Sequence, residues 1–161
     1  MLIWAALIFA GSGDLLSEGR TSRLIGPVLR WFKPDLSEAA VRQLQGIIRK
    51  GGHVTEYGVL ALLCLRAVTR NSRLVPPVRS WATAGGVLAI CALYALSDEI
   101  HQSFIPSRHG SAIDVLIDVL GAGSGLVLAW LNALWQRSMR SRPADAVQRL
   151  RSAEDGPGVA V

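Results

Sequence analysis

Apolar residues fall into blocks along this chain, and the charges collect between the blocks and at their edges. Met1 to Ala10 is apolar and ends at Gly11-Ser12-Gly13-Asp14. Gly52 to Val68, Ser80 to Ser97 and Ile113 to Trp135 are three further blocks. A transmembrane helix needs about 20 residues, with about 17 as the lower limit. The last three blocks reach that length, and the first is short even when extended to Leu16. No basic region precedes the first block and no Ala-x-Ala site follows it, which argues against a secretory signal peptide. The pattern predicts an all-α protein, a polytopic membrane helix bundle with about four transmembrane helices.

The stretch between the first and second blocks is mixed. Leu24, Val28, Trp31 and Phe32 recur at helical spacing, with Arg23, Arg30 and Lys33 around them. A further helix is predicted from Leu36 to Arg49. Asp35 is placed to cap it, and Glu38 stands three residues on, where a capping-box partner sits. Leu36, Ala40, Leu44, Ile47 and Ile48 share one face. Basic amphipathic helices with Trp and Phe suit the membrane interface. Packing on the other helices as a lid accounts for the same pattern, and the sequence leaves both open.

Of the 161 residues, 50% are apolar, and the net charge is +5. The length suits one domain. The basic residues flank apolar blocks instead of forming one face, and no basic motif with interleaved aromatics occurs. Membrane lipids are therefore the expected partners, and nucleic acid is not. Arg66, Arg70, Arg73 and Arg79 surround a loop broken by Pro76-Pro77. Arg137, Arg140, Arg142, Arg149 and Arg151 crowd the C-terminal end. Positive charge near membrane segments stays in the cytoplasm, so both regions are expected there. The chain divides into a transmembrane domain, 1–136, and a basic cytoplasmic tail, 137–161, helical at first and then partly disordered. Cys64 and Cys91 lie inside apolar blocks and read as small buried hydrophobes.

This topology sends the costly polar residues to one membrane face. The second membrane helix starts there with Lys50, His53, Glu56 and Tyr57. The third ends there with Asp98, Glu99, His101 and Gln102, and the fourth begins there with Asp114 and Asp118. Charges at the edge of a hydrophobic segment are expensive unless paired or wet, so their convergence predicts a polar site. His53 shares a helix face with Glu56 and with Tyr57. Asp98 and His101 share one if the third helix runs that far. Asp114 and Asp118 stack one turn apart and repel, so either one is protonated or both face a cation. Plainer readings stand beside these. Asp98, Glu99 and Arg108 suit an internal salt bridge, Asp114 a helix cap, His53 a structural hydrogen bond, Tyr57 an interfacial aromatic and His109 a loop position.

Four motifs carry a resemblance. They are Lys50-Gly-Gly-His53-Val-Thr-Glu56-Tyr57, Tyr94-Ala-Leu-Ser-Asp98-Glu99-Ile-His101-Gln102, Phe104-Ile-Pro106-Ser-Arg108 and Asp114-Val-Leu-Ile-Asp118-Val-Leu-Gly121. Together they resemble the VanZ-like family of bacterial membrane proteins, well over about residues 50 to 128 and loosely over the first helix. The resemblance implies a multi-pass protein of the bacterial cytoplasmic (inner) membrane, in a family associated with teicoplanin (glycopeptide) resistance. It marks His53, Glu56, Tyr57, Asp98, Glu99, His101, Gln102, Arg108, Asp114 and Asp118 as motif positions and implies no reaction. The chain departs from the family at Ser107, where Gly is common, and at Gly11-Ser12-Gly13, where a serine-rich end is usual.

Two functions fit these residues. In the first, the site binds or modifies a cell-envelope lipid, a lipid-linked cell-wall precursor or another amphiphile. Arg108 and Lys50 then meet a phosphate, while Tyr57, Gln102, Asp114 and Asp118 complete the binding surface. In the second, the protein is a membrane-embedded hydrolase or transferase. Asp98 or Glu99 then acts as general base, His53 or His101 as proton donor or orienter beside Glu56, and Arg108 stabilises the developing anion. A divalent metal held by the His and carboxylate pairs is a variant of the second. No compact motif such as His-Glu-x-x-His supports it, and four helices leave little room for a transport path.

Overall fold

The computed structural model describes residues 1–12, 18–69, 81–106 and 110–154. Among them are five helices and no strand: α1 (Leu2–Ser12), α2 (Glu18–Phe32), α3 (Glu38–Thr69), α4 (Trp81–Ser103) and α5 (Ala112–Glu154). The fold is all-α, as the pattern predicts. Asp14, the Arg-rich loop with Pro76-Pro77 and the terminal Gly156-Pro157-Gly158 lie outside the described residues.

Helix boundaries differ from the pattern in three places. The predicted helix at Leu36–Arg49 and the apolar block that follows form one helix, α3, which runs straight through Gly51 and Gly52. Two glycines cost a helix about 1 kcal/mol each relative to Ala. Apolar helical segments on both sides carry the helix across them, and the Thr55 hydroxyl donates to the Gly51 carbonyl at 2.8 Å. The cap of α3 is Ser37, not Asp35: the Ala40 N–H donates to the Ser37 Oγ at 3.2 Å. Glu38 pairs instead with Arg30 of α2. Helix α4 continues past Ser97 to Ser103, so Asp98 to Gln102 are helical residues and not part of a loop.

Two helices, not about four, are long and apolar enough to cross a membrane among the described residues. They are Trp81–Ser103 and the Ala112–Arg140 part of α5. Only 28% of each apolar window is buried inside the protein. Leu93, Leu96, Ile100, Leu120 and Leu128 point outward instead, a pattern suited to lipid and costly in water. Helix α1 has 11 residues, which at about 1.5 Å each spans roughly half of a hydrocarbon core about 30 Å thick. In α3, Lys50, His53, Glu56 and Arg66 dilute the apolar block.

Packing follows from small residues. Ideal Cβ atoms placed on Gly121 and Gly125 would lie 2.6 Å from the Val54 carbonyl oxygen and 2.5 Å from that of Gly58. The Gly121-x-x-x-Gly125 stretch thus brings α5 into backbone contact with α3, as such patterns allow. The pairs Val54–Gly121 and Gly58–Gly125 advance together, so α3 and α5 run parallel. Helix α4 lies antiparallel to α3, with Tyr57 near Tyr94 and Cys64 against Cys91. Both thiols are free and buried, as expected of small hydrophobes.

Helix α1 lies along α4 and is pinned by hydrogen bonds. The Trp4 indole donates to the Glu56 carbonyl at 3.0 Å, and the Tyr94 hydroxyl donates to the Ala5 carbonyl at 2.6 Å. Ile8 enters the core beside Tyr57 and Leu60. Helix α2 rests on the start of α3, where Gly26 faces the Gln45 side chain. Its Val28, Trp31 and Phe32 remain exposed, as do Ile47 and Ile48 of α3. Val41, outside the predicted apolar face, is the buried residue in this part of α3.

The glycine contact predicts a sharp asymmetry. Gly125→Ala should cost about 1–3 kcal/mol, because the Cβ meets backbone that cannot move aside without parting α3 from α5. Gly123→Ala, with nothing within 4 Å of its Cβ, should be neutral or stabilising. Thermal unfolding of the two variants in detergent, followed by circular dichroism, separates these outcomes.

Candidate functional site

The parallel course of α3 and α5, with α4 antiparallel to them, brings the end of α4 and the start of α5 together beside the middle of α3. His53 and Tyr57 come from α3, Asp98, Glu99 and Gln102 from the last turns of α4, and Asp118 from the second turn of α5. Asp98, Asp118 and Tyr57 are 0% exposed, and Glu99 and Gln102 are 5% and 4% exposed. Carboxylates at such depth are rarely kept without a partner.

Asp98 uses one oxygen twice. Its Oδ2 accepts the Ser12 hydroxyl at 2.6 Å and the Gln102 Nε2 at 2.9 Å, while Oδ1 has no hydrogen-bond partner among the described residues. Gln102 is one helical turn after Asp98, so α4 itself supplies this contact. The other donor, Ser12, ends α1.

Glu99 faces the start of α5. Its Oε2 accepts the Ser111 N–H at 2.7 Å, and its Oε1 has no partner among the described residues. Ser111 caps α5, with its Oγ accepting the Ile113 N–H at 3.2 Å. Only glycine fits before it: a Cβ on Gly110 would lie 2.5 Å from the Glu99 carbonyl oxygen. The turn from α4 to α5 is thereby held against Glu99.

Asp118 meets His53, with Oδ1 3.1 Å from Nδ1. The two atoms lack the alignment of a hydrogen bond, so this is a charge contact whenever the imidazole is protonated. The second Asp118 oxygen has no partner among the described residues. The Tyr57 hydroxyl is also unpartnered among them and lies within electrostatic reach of Asp118, Asp98 and Glu99. Buried polar atoms left unpaired cost about 1–3 kcal/mol each, and more when charged. His53 is the one cationic side chain that the described residues set against the three carboxylates.

The remaining expected residues stand apart from this core. Lys50 is exposed, and Glu56 is half-buried and uses its carbonyl, not its carboxylate, to hold Trp4. Asp114 is half-buried and is not the helix cap, since Ser111 is nearer the first free N–H groups. His101 stacks on Phe9, with ring centroids 4.2 Å apart. Arg108 and His109 lie outside the described residues. No group of three or more His, Cys, Asp or Glu side chains suited to a metal ion occurs among the described residues.

Ser12 and Ser111 are the participants that pattern reading misses. Ser111 precedes a helix, which is an ordinary cap signal. The sign for Ser12 is its place at the end of an apolar helix, where a buried hydroxyl must find a partner. A family model, VanZ/LLP1, matches residues 1–135, so the matched region takes in α1 as well as the three helices of the polar cluster. No curated protein and no solved structure matches the chain.

Ser12→Ala should lower stability by about 1–3 kcal/mol, since it leaves a fully buried carboxylate with one donor fewer and frees the end of α1. Ser97→Ala is the control. That hydroxyl is exposed and bonds only the Tyr94 carbonyl of its own helix, so its loss should cost less than about 0.5 kcal/mol in the same unfolding measurement.

Proposed function

The chain belongs to the VanZ/LLP1 family, and from that premise we propose that it binds the polar head of a cell-envelope lipid or lipid-linked precursor. The buried Asp98–Glu99–Asp118 cluster is the binding centre. One observation carries this reading: among the described residues, all three carboxylates keep an oxygen without a hydrogen-bond partner, at the polar end of two helices long enough to cross a membrane. Buried acceptors of this kind are what a binding site presents to its ligand.

In this reading the carboxylates accept hydrogen bonds from the head, with Tyr57 and Gln102 beside them. The exposed Lys50, together with Arg108, meets its phosphate. The protein is a multi-pass protein of the bacterial inner membrane. The Arg137–Arg151 end of α5 is cytoplasmic and the polar cluster extracytoplasmic, because arginines near membrane segments resist translocation.

A second reading rests on the His53–Asp118 contact. A carboxylate against one imidazole nitrogen leaves the other to take or give a proton, the arrangement of a general acid–base pair. The same site then turns over the amphiphile it binds, as a hydrolase or transferase.

Native mass spectrometry of the full chain in mild detergent tests the first reading. The wild type should carry an adduct of lipid-phosphate mass, and the double variant Asp98→Asn, Asp118→Asn should lose at least about nine-tenths of it. A clean apo mass for the wild type would reject binding. His53→Gln should retain the adduct under the binding reading. Under the catalytic one it should accumulate unreacted amphiphile while losing turnover.

A further inference from the structure

We propose that the group recognised in the buried cluster is a primary ammonium, carried on the head of the amphiphile. This inference rests on the binding reading above and narrows its ligand by charge and hydrogen-bond type.

The argument starts from what the cluster lacks. Asp98 Oδ1, Glu99 Oε1 and the second oxygen of Asp118 are acceptors without a partner among the described residues. Ionised carboxylates only accept, so a matching ligand must donate. Among the described residues, three buried carboxylates face a single imidazole, which sets fewer positive charges than negative ones in this part of the cluster even when His53 is protonated. A phosphate brings more negative charge and more acceptors. A sugar hydroxyl donates but leaves the charge uncompensated. A quaternary ammonium supplies charge without an N–H, and it is held by aromatic cages, not by carboxylates. A primary ammonium supplies one charge and three N–H donors on an atom the size of a water molecule.

Tyr57 provides an independent sign. Its side chain is 0% exposed, its hydroxyl has no partner among the described residues, and it lies within electrostatic reach of Asp118, Asp98 and Glu99. An aromatic hydroxyl kept unpaired in a dry acidic centre is explained by a ligand that it helps to hold, because Phe would otherwise fill the space at less cost. Lys50, exposed and three residues before His53 on α3, suits the phosphate that adjoins the ammonium in an aminophospholipid head.

The test uses the full chain in nonionic micelles doped separately with phosphatidylethanolamine, its N-acetyl derivative, phosphatidylcholine and phosphatidylglycerol. Bound lipid is read by native mass spectrometry. Phosphatidylethanolamine should be retained about tenfold over each of the other three. Glu99→Gln, which preserves the acceptor for the Ser111 N–H, should abolish that preference. Tyr57→Phe should reduce it several-fold with the unfolding temperature unchanged or raised, since no internal hydrogen bond is lost. This second variant serves where Glu99→Gln does not fold. Soluble ethanolamine is added as a competitor. Displacement of the lipid by ethanolamine assigns the site to primary ammonium in general, and resistance assigns it to ammonium on a lipid. Equal retention of phosphatidylethanolamine and its N-acetyl derivative would overturn the ammonium and leave the lipid-head reading standing. Retention of no lipid would remove both.

Discussion

Backbone contact between α3 and α5 is the constraint on which the rest of the structure depends. Val54 lies against Gly121 and Gly58 against Gly125 so closely that any side chain on either α5 glycine would meet a carbonyl oxygen. Small residues permit this approach, and dispersion between two touching backbones rewards it where lipid offers no hydrophobic drive. The contact also fixes register. With α3 and α5 parallel and in this alignment, Asp118 arrives opposite His53. A shift of one residue would rotate Asp118 about 100° around its helix and out of the cluster.

The polar cluster is assembled by elements of different kinds. Helix α4 brings Asp98 and Gln102 together within one turn, a purely local arrangement. Glu99 is held by the chain that returns after α4, through Gly110 and the Ser111 N–H. Asp98 needs a residue from the far end of the sequence, Ser12, delivered by a helix too short to cross a bilayer. This gives α1 a physical role. Its Trp4 and Ala5 are tied to α3 and α4, its Ile8 fills the core, and its last residue donates to the fully buried Asp98.

The balance of charge sets what the cluster can do. One oxygen of Asp98 and one of Glu99 are satisfied by fixed donors, which orients both carboxylates and directs the free oxygens elsewhere. Burial makes each free oxygen expensive, and the same low polarity strengthens any interaction with a donor that enters. Binding and acid–base chemistry both draw on this property. They differ in whether His53 serves as a counter-charge to Asp118 or as a proton carrier.

Much of this was legible in the sequence. The apolar blocks specify helices because helical period and length are local properties, and the Gly121-x-x-x-Gly125 spacing marks a close helix contact. The gathering of His53, Tyr57, Asp98, Glu99, Gln102 and Asp118 at one end follows from alternating helix direction alone. Which motif residues turn inward does not. Asp114 and Asp118 are one turn apart, yet only Asp118 is fully buried, and His101 stacks on Phe9. Those choices depend on the rotation of each helix against its neighbours, which side-chain volume and the α3–α5 contact decide together. The shortfall from about four spans to two is itself local, since α1 is short and charges dilute the apolar block of α3. The continuity of α3 through Gly51-Gly52 is not: local propensity marks a break, and neighbouring helices decide whether the chain bends. Ser12 shows the limit most plainly: its place at the end of an apolar helix calls for a partner, but nothing in either local pattern says that the partner lies 86 positions away.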